Sequence, residues 1–242
     1  MPVNDSWIKT STIPRDVNMA ASAYHEDWGI IMAGGKNDYD DVTLSTTGES
    51  FTDITPLPEA DHAFCIAAID ANNIFVTGLG LYKEDSYMFT KESNQWAPLP
   101  KIPTGRYGAG CGVVQDNAGK SHVVVAAGEE ADSNEYGNTV EIYSVEDKEW
   151  TTGKLRNLKF SDGKVVPFAA NNFPTALIYP AVAQHDESFY IIGGWDGSSY
   201  LDTIYHYNLS NDTWALLPNT MTFPRDGATA MIVKSTIFPS CG

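Results

Sequence analysis

No stretch of this 242-residue chain approaches the roughly 20 consecutive apolar residues that a helix needs to cross a bilayer. The opening Met1-Pro2-Val3-Asn4-Asp5 carries neither the basic patch nor the apolar stretch of a secretory signal, as a mature or truncated extracellular chain also would. Basic residues are scarce: 15 Lys and Arg stand against 31 Asp and Glu, for a net charge of −16. Nucleic-acid binders neutralise phosphates with clustered cations, so this composition argues against DNA, RNA and anionic membrane surfaces as partners. Catalytic signatures are missing as well. There is no G-x-S-x-G, no P-loop and no dinucleotide fingerprint. His25, His62, His122, His185 and His206 are dispersed, without metal-ligand spacing. We therefore expect no catalytic residues, no metal and no cofactor.

Cysteine is sparse too. Cys65 and Cys111 fall in apolar runs, where a buried reduced thiol is the default expectation, and Cys241 sits in the tail. Three N-x-S/T sequons, at Asn4, Asn208 and Asn211, are candidate glycosylation sites, and a cytoplasmic or a secreted location both stay open.

What is present is a repeat. Four β-rich runs end in small residues: Ala33-Gly34-Gly35, Thr77-Gly78-Leu79-Gly80, Ala126-Ala127-Gly128 and Ile192-Gly193-Gly194. Each is followed by two bulky residues seven positions apart: Leu44/Phe51, Phe89/Trp96, Tyr143/Trp150 and Tyr207/Trp214. A repeat of this length marks supersecondary units that bury their faces only against one another. With 43% hydrophobic and 12% aromatic residues, the chain can build such a core.

Each unit reads as four short strands. The first is small and apolar, as in Met19–Ala23, Ala63–Ala68, Gly108–Val114, Ala176–Val182. Second strands such as Val123-Val124-Val125 are continuously apolar, which fits burial on both faces. Third strands alternate, as in Thr203-Ile204-Tyr205-His206-Tyr207, and proline-ended fourth strands suit an outer edge.

These residues resemble the kelch repeat: a glycine doublet, a downstream Tyr, a Trp, and then Pro-Arg before the next unit. The fullest match is Gly193-Gly194…Tyr207…Trp214…Pro224-Arg225. The resemblance covers nearly the whole chain and implies an all-β fold, a β-propeller of four-stranded antiparallel blades around a channel. A β-sandwich with coincidental glycines is the competing fold. The expectation is a single domain, 1–242, with blades at about 18–54, 62–97, 107–152 and 176–216 and terminal strands 6–10 and 227–234 from an incomplete blade. Gly227–Val233 then reads as a first strand with no successor, and the chain as a fragment. Residues 153–175 read as an insertion. The ending Ile237-Phe238-Pro239-Ser240-Cys241 resembles the tails of arthropod kelch-only proteins.

Strand alternation puts loops between second and third strands on one face with those joining a fourth strand to the next unit's first. That face carries Tyr39, Tyr82, Tyr136, Trp195 and Tyr200 among Asp38, Asp40, Asp41, Glu84, Asp85, Glu129, Glu130, Asp132, Glu135, Asp196 and Asp202. Aromatics among carboxylates suit a basic partner, through charge steering and cation–π contact. A plainer reading has the tyrosines bracing their own loops. Arg15, Arg106 and Arg225 precede first strands, and Arg106-Tyr107-Gly108 looks like the segment from which some kelch adaptors grip acidic peptides; guanidinium forks suit carboxylates. Glu59 and Pro174-Thr175 stand at the matching places of the other units, and bonding to loop carbonyls is the alternative role for these arginines. The resemblance implies a non-catalytic module that binds a protein or peptide. The alternative is a carbohydrate-active or sugar-isomerase propeller, for which the acidic surface is a poor lure if the sugar is anionic.

Overall fold

The computed structural model describes residues 18–36, 39–133, 135–152, 158–160, 165–166, 175–185, 188–209, 213–233 and 236–240. All regular structure in them is β. The first blade is β1 (Ala21–His25), β2 (Gly29–Ala33), β3 (Val42–Ser45) and β4 (Thr52–Ile54). The second is β5 (Cys65–Ala68), β6 (Asn73–Leu79), β7 (Asp85–Thr90) and β8 (Gln95–Pro98). A two-residue strand β9 (Arg106–Tyr107) precedes the third blade, β10 (Gly110–Gln115), β11 (Ser121–Ala126), β13 (Val140–Ser144) and β14 (Glu149–Thr152). Strand β9 pairs with β12 (Glu129–Glu130) in the loop between β11 and β13. Two short strands, β15 (Leu158–Phe160) and β16 (Val165–Val166), come next. The fourth blade is β17 (Ala181–His185), β18 (Ser188–Ile192), β19 (Ile204–Asn208) and β20 (Thr213–Leu216), followed by the hairpin β21 (Thr229–Val233) and β22 (Thr236–Ser240). Contacts between innermost strands run from β1 to β5, β10, β17 and β21 in turn. This is a β-propeller.

The core lies between blades rather than within them. Ile31, Val42, Ile66, Ile74, Val76 and Phe89 fill the first seam; Ala67, Phe75, Val123, Val125 and Tyr143 the second; Val124, Ile142, Phe189, Ile191 and Trp214 the third; Ala181, Ile192 and Met221 the fourth. Burying each large side chain contributes about 1.5–3 kcal/mol. Strand β6 is buried almost throughout because both its faces meet a neighbouring blade. Tyr24 and Ile30, paired across β1 and β2, are 70% and 41% exposed, whereas their counterparts Ala68 and Ile74 are buried against the first blade.

Three of the bulky pairs stand directly opposite on adjacent strands: Phe89/Trp96, Tyr143/Trp150 and Tyr207/Trp214, with ring centroids 5.3, 5.2 and 5.1 Å apart. Blade one departs from the expected pairing, for Leu44 faces Thr52 rather than Phe51. Register puts Ser45 opposite Ile30, as Phe89 is opposite Ile74, so Ser45 takes the aromatic's place.

One feature explains why the first strands begin later than the sequence suggests. Met19, Ala63, Gly108, Tyr179 and Gly227 all have left-handed backbones, with φ of 59, 53, 63, 55 and 57°. Each stands two residues ahead of an inner strand and breaks the run there. Their peptide groups join blade to blade. The N–H of Ala63 donates to the carbonyl of Met19 at 2.9 Å, Gly108 to Ala63 at 2.8 Å, Tyr179 to Gly108 at 2.9 Å and Gly227 to Tyr179 at 2.9 Å. We refer to this chain of bonds as the belt. The glycine doublets serve the same seams: Gly35 and Gly194 donate to the carbonyls of Asp61 and Arg225, each at 2.8 Å. A Cβ at Gly193 would lie 2.5 Å from the Arg225 carbonyl oxygen. The third blade manages with Ala127, at φ 65°, in the first doublet position.

Three expectations are corrected. Cys65 and Cys111 are not separate thiols but a disulfide, Cα–Cα 5.9 Å, because neighbouring inner strands converge at the channel wall. The strand at 229–233 does have a successor: the tail residues Thr236–Ser240 pair antiparallel with it. The 153–175 segment, in its described parts, adds β15 parallel to β20, so β20 is not an outer edge. The expected strand 6–10 lies outside the described residues.

The belt can be tested at two glycines of nearly equal φ. A Cβ at Gly108 would lie 2.7 Å from Ile178 and Tyr179, whereas at Gly227 nothing stands within 4 Å. Gly227→Ala should cost about 1 kcal/mol, the strain of a left-handed alanine, and Gly108→Ala about 2–4 kcal/mol, with overpacking added. Urea denaturation of the two variants checks this; equal costs would mean that the seam yields freely.

Candidate functional site

The belt faces the loops between second and third strands and those leading into each blade, so it fixes the floor of the face singled out from the sequence. Two residues ahead of the belt positions stand Asp61, Arg106, Leu177 and Arg225. Asp61 and Leu177, not Glu59 and Pro174-Thr175, are thus the counterparts of Arg106. Three of these four positions are buried, at 6%, 2% and 0% exposure for Asp61, Arg106 and Leu177.

Arg106 is therefore corrected as a ligand contact. Its Nη1 donates to the carbonyls of Ala127 and Thr139 at 3.0 and 3.1 Å, its Nη2 to Thr139 Oγ1 at 2.7 Å and Glu141 Oε2 at 2.5 Å, and its Nε to the Thr104 carbonyl at 3.3 Å. Burial lowers the guanidinium's affinity for its proton, and Glu141 opposes that. Burial likewise pushes the Glu141 carboxyl up, and Arg106 pulls it back. In blade two the charges are exchanged: the Asp61 carboxylate takes the Lys83 ammonium and the Gly80 N–H. Lys83 thus ties the leading segment of blade two to the loop after its second strand, and in blade three Arg106 does the same through Ala127 and Thr139 while its ion pair reaches Glu141 on β13. Arg225 is half-buried, its Nε donating to the Phe223 carbonyl at 3.3 Å, and Arg15 lies outside the described residues.

The aromatic set divides. Trp195 and Tyr200 brace each other, ring centroids 4.8 Å apart across a β-bridge. Tyr136 bridges to Glu129, whose neighbour across β9 is Tyr107. Tyr39 is half-buried, and its carbonyl receives the Asp61 N–H. Asp41 gives its carbonyl to Gly34. Asp196 caps its own turn, its Oδ1 accepting from Ser198 N and Oγ and Ser199 N at 2.7–2.8 Å, and these bonds hold the carboxyl below the usual range. Tyr82 alone of the set is well exposed on a loop tip without a described ring partner, at 58%. Tyr200 is 55% exposed on its outer side. Asn208, the one sequon asparagine among the described residues, is half-buried at the end of β19, while Asn4 and Asn211 lie outside them.

Several residues of this face escaped sequence reading. His62, Tyr107 and Tyr179 meet edge to face around the belt, His62–Tyr107 and Tyr107–Tyr179 both at 5.6 Å. Burial and the bond to Tyr107 push the Tyr179 phenol well above the ordinary tyrosine range. Leu81 and Phe223, 86% and 65% exposed, lie in loops of the same face. Flanking glycine and proline, Gly80 and Pro224, were the available signals. The histidines stay apart: His122 pairs with Asp116, His206 stacks on Tyr190 and His25 lies by Asp27. On the opposite face a cleft of about 260 Å3 lies between blades one and two, but Trp28 and Phe89 at its base are 2% and 1% exposed and Lys91 lies 4.3 Å over the indole.

A kelch motif matches residues 177–221, the fourth blade with its leading and trailing loops. The chain carries a kelch repeat. It is similar to the Kelch-like protein terF of Aspergillus terreus, at 23% identity over 95% of this chain and 50% of that protein, so the kelch chain spans about half the length of this curated relative. The solved structure of YjhT matches 94% of the kelch chain and 73% of its own with a TM-score of 0.69 and 14% identity, a likeness of fold alone.

Removing one partner of the buried pair strands the other charge. Arg106→Met should cost about 3–5 kcal/mol, and Arg106→Met with Glu141→Leu should recover much of it. Denaturant melts of single and double variants check the coupling; a double variant as unstable as the single would deny it.

Proposed function

We propose that this chain is a non-catalytic binding module whose partner, a protein or peptide, docks on the face built from second-to-third loops and the loops leading into each blade. Kelch propellers as a class support a role in protein interaction. One observation carries the choice of face. Of the six exposed large hydrophobic residues described, Leu81, Tyr82, Tyr200 and Phe223 all lie in these loops, and only Tyr24 and Ile30 lie elsewhere. Exposed aromatic and aliphatic side chains on rigid loops are what binding hot spots are made of. Asp40, Glu130, Asp132, Glu135 and Asp202 belong to loops of the same face, and their carboxylates favour a partner with Lys or Arg beside its apolar anchors. Arg106 lies beneath this face as a brace, while Tyr82, Tyr136, Trp195, Tyr200, Asp196, Glu129, Tyr39, Asp41 and Arg225 make up the surface and its supports.

Panning a displayed peptide library on the whole chain tests this. Peptides enriched on it should lose binding at least tenfold to a Leu81→Ser, Tyr82→Ser, Tyr200→Ser, Phe223→Ser variant of unchanged Tm, and keep it to Lys91→Ala on the opposite face. Binding indifferent to the first variant would move the site elsewhere. Turnover of any glycan in a parallel array would overturn the non-catalytic reading.

A further inference from the structure

Cys65 and Cys111 lie 46 residues apart in sequence, yet they meet at one place, the channel wall of the seam between blades two and three. Cys65 stands two residues past the belt position Ala63, and Cys111 three past Gly108, so the bridge sits directly beside the Gly108-to-Ala63 hydrogen bond. Cys65 is 4% exposed among Ala67, Ile69 and Phe75, while Cys111 is half-buried with its Sγ 3.6 Å from the Ile66 carbonyl. Each belongs to a different blade, so the bond adds a covalent tie to a seam otherwise held by packing and hydrogen bonds.

We propose that this bridge is a redox-controlled lock on that seam, and that the chain matures in an oxidising compartment such as the secretory route. The lock closes when a disulfide donor takes two electrons and two protons from the thiols, giving the Cys65–Cys111 bond and the donor's dithiol. A dithiol reductant opens it in the reverse exchange. Its thiolate attacks the half-buried Cys111 sulfur and forms a mixed disulfide as the Cys65–Cys111 bond breaks. Cys65 leaves as a thiolate that takes a proton, and the reductant's second thiol then displaces Cys111, which also takes a proton, leaving the reductant as its disulfide. The apolar surroundings of Cys65 disfavour that leaving thiolate, so opening in the folded state is slow. Disulfides of this kind persist where glutathione does not keep thiols reduced. The proposal is independent of what the loop face binds.

The whole chain, secreted from a eukaryotic host, is the material for the test. Its intact mass should rise by about 2 Da on complete reduction, and iodoacetamide should leave Cys65 and Cys111 unmodified until a reductant is added. Tris(2-carboxyethyl)phosphine should lower Tm by roughly 5–15 °C. A Cys65→Ser, Cys111→Ser variant should melt at the reduced temperature and ignore the reductant. Alkylation of both cysteines in the unreduced native chain would overturn the lock, as would a wild-type Tm unmoved by complete reduction. Should the double variant fail to fold, mass and alkylation of the wild type still decide.

Discussion

Everything in this propeller hangs on a main-chain hydrogen bond repeated from blade to blade. A left-handed residue just ahead of each inner strand turns its N–H to the carbonyl of its counterpart in the blade before, across Met19, Ala63, Gly108, Tyr179 and Gly227. Buried peptide groups must find partners, and at the crowded axis the neighbouring blade supplies them. The seams outside the belt are then filled by side chains from two sheets. Packing contributes the bulk of the stabilisation, and the belt sets the registration within which that packing is possible.

The position two residues upstream shows how the same place can be braced by unlike chemistry. Arg106 reaches Glu141 on the third strand and Ala127 and Thr139 in the loop before it, Asp61 takes Lys83 from the matching loop of its own blade, and Leu177 at the same place is simply buried. A buried charge is tolerated only when it is paired and bonded, and each of the two ionic solutions brings its own counter-charge. The loop face thereby gains a rigid base, and its exposed Leu81, Tyr82, Tyr200 and Phe223 are carried by segments that are themselves tied down.

The strands were legible because they are periodic: the apolar second strands, the alternating third strands and the Tyr/Trp pairs all follow from one repeated pattern of burial. The boundaries of the first strands were not, since Met19, Ala63 and Tyr179 look like strand residues and only tertiary context makes them left-handed. Leu44/Phe51 misled because size and spacing say nothing of register, which Ser45 reveals once Val42 is seen opposite Ala33. Arg106 looked like a ligand contact for want of Glu141, which lies 35 positions away and meets it only when the blade forms. The disulfide was hidden for the same reason. Among the loop aromatics, those flanked by turn residues, such as Trp195 and Tyr200, proved to be fastened to one another, and sequence does not distinguish a fastened ring from one on offer.

The belt also bears on how such a chain can diverge. Its bonds use only peptide groups, so methionine, alanine, glycine and tyrosine all serve at one position or another, and residue identity there is limited by the left-handed backbone and the local space rather than by the bond itself. Each unit asks one acceptor of its predecessor and offers one to its successor, always in the same rotational sense. A unit copied or deleted as a whole would leave neighbours with compatible ends. Mutational drift can therefore erase the recognisable motif from most repeats while the hub geometry that arranges them persists.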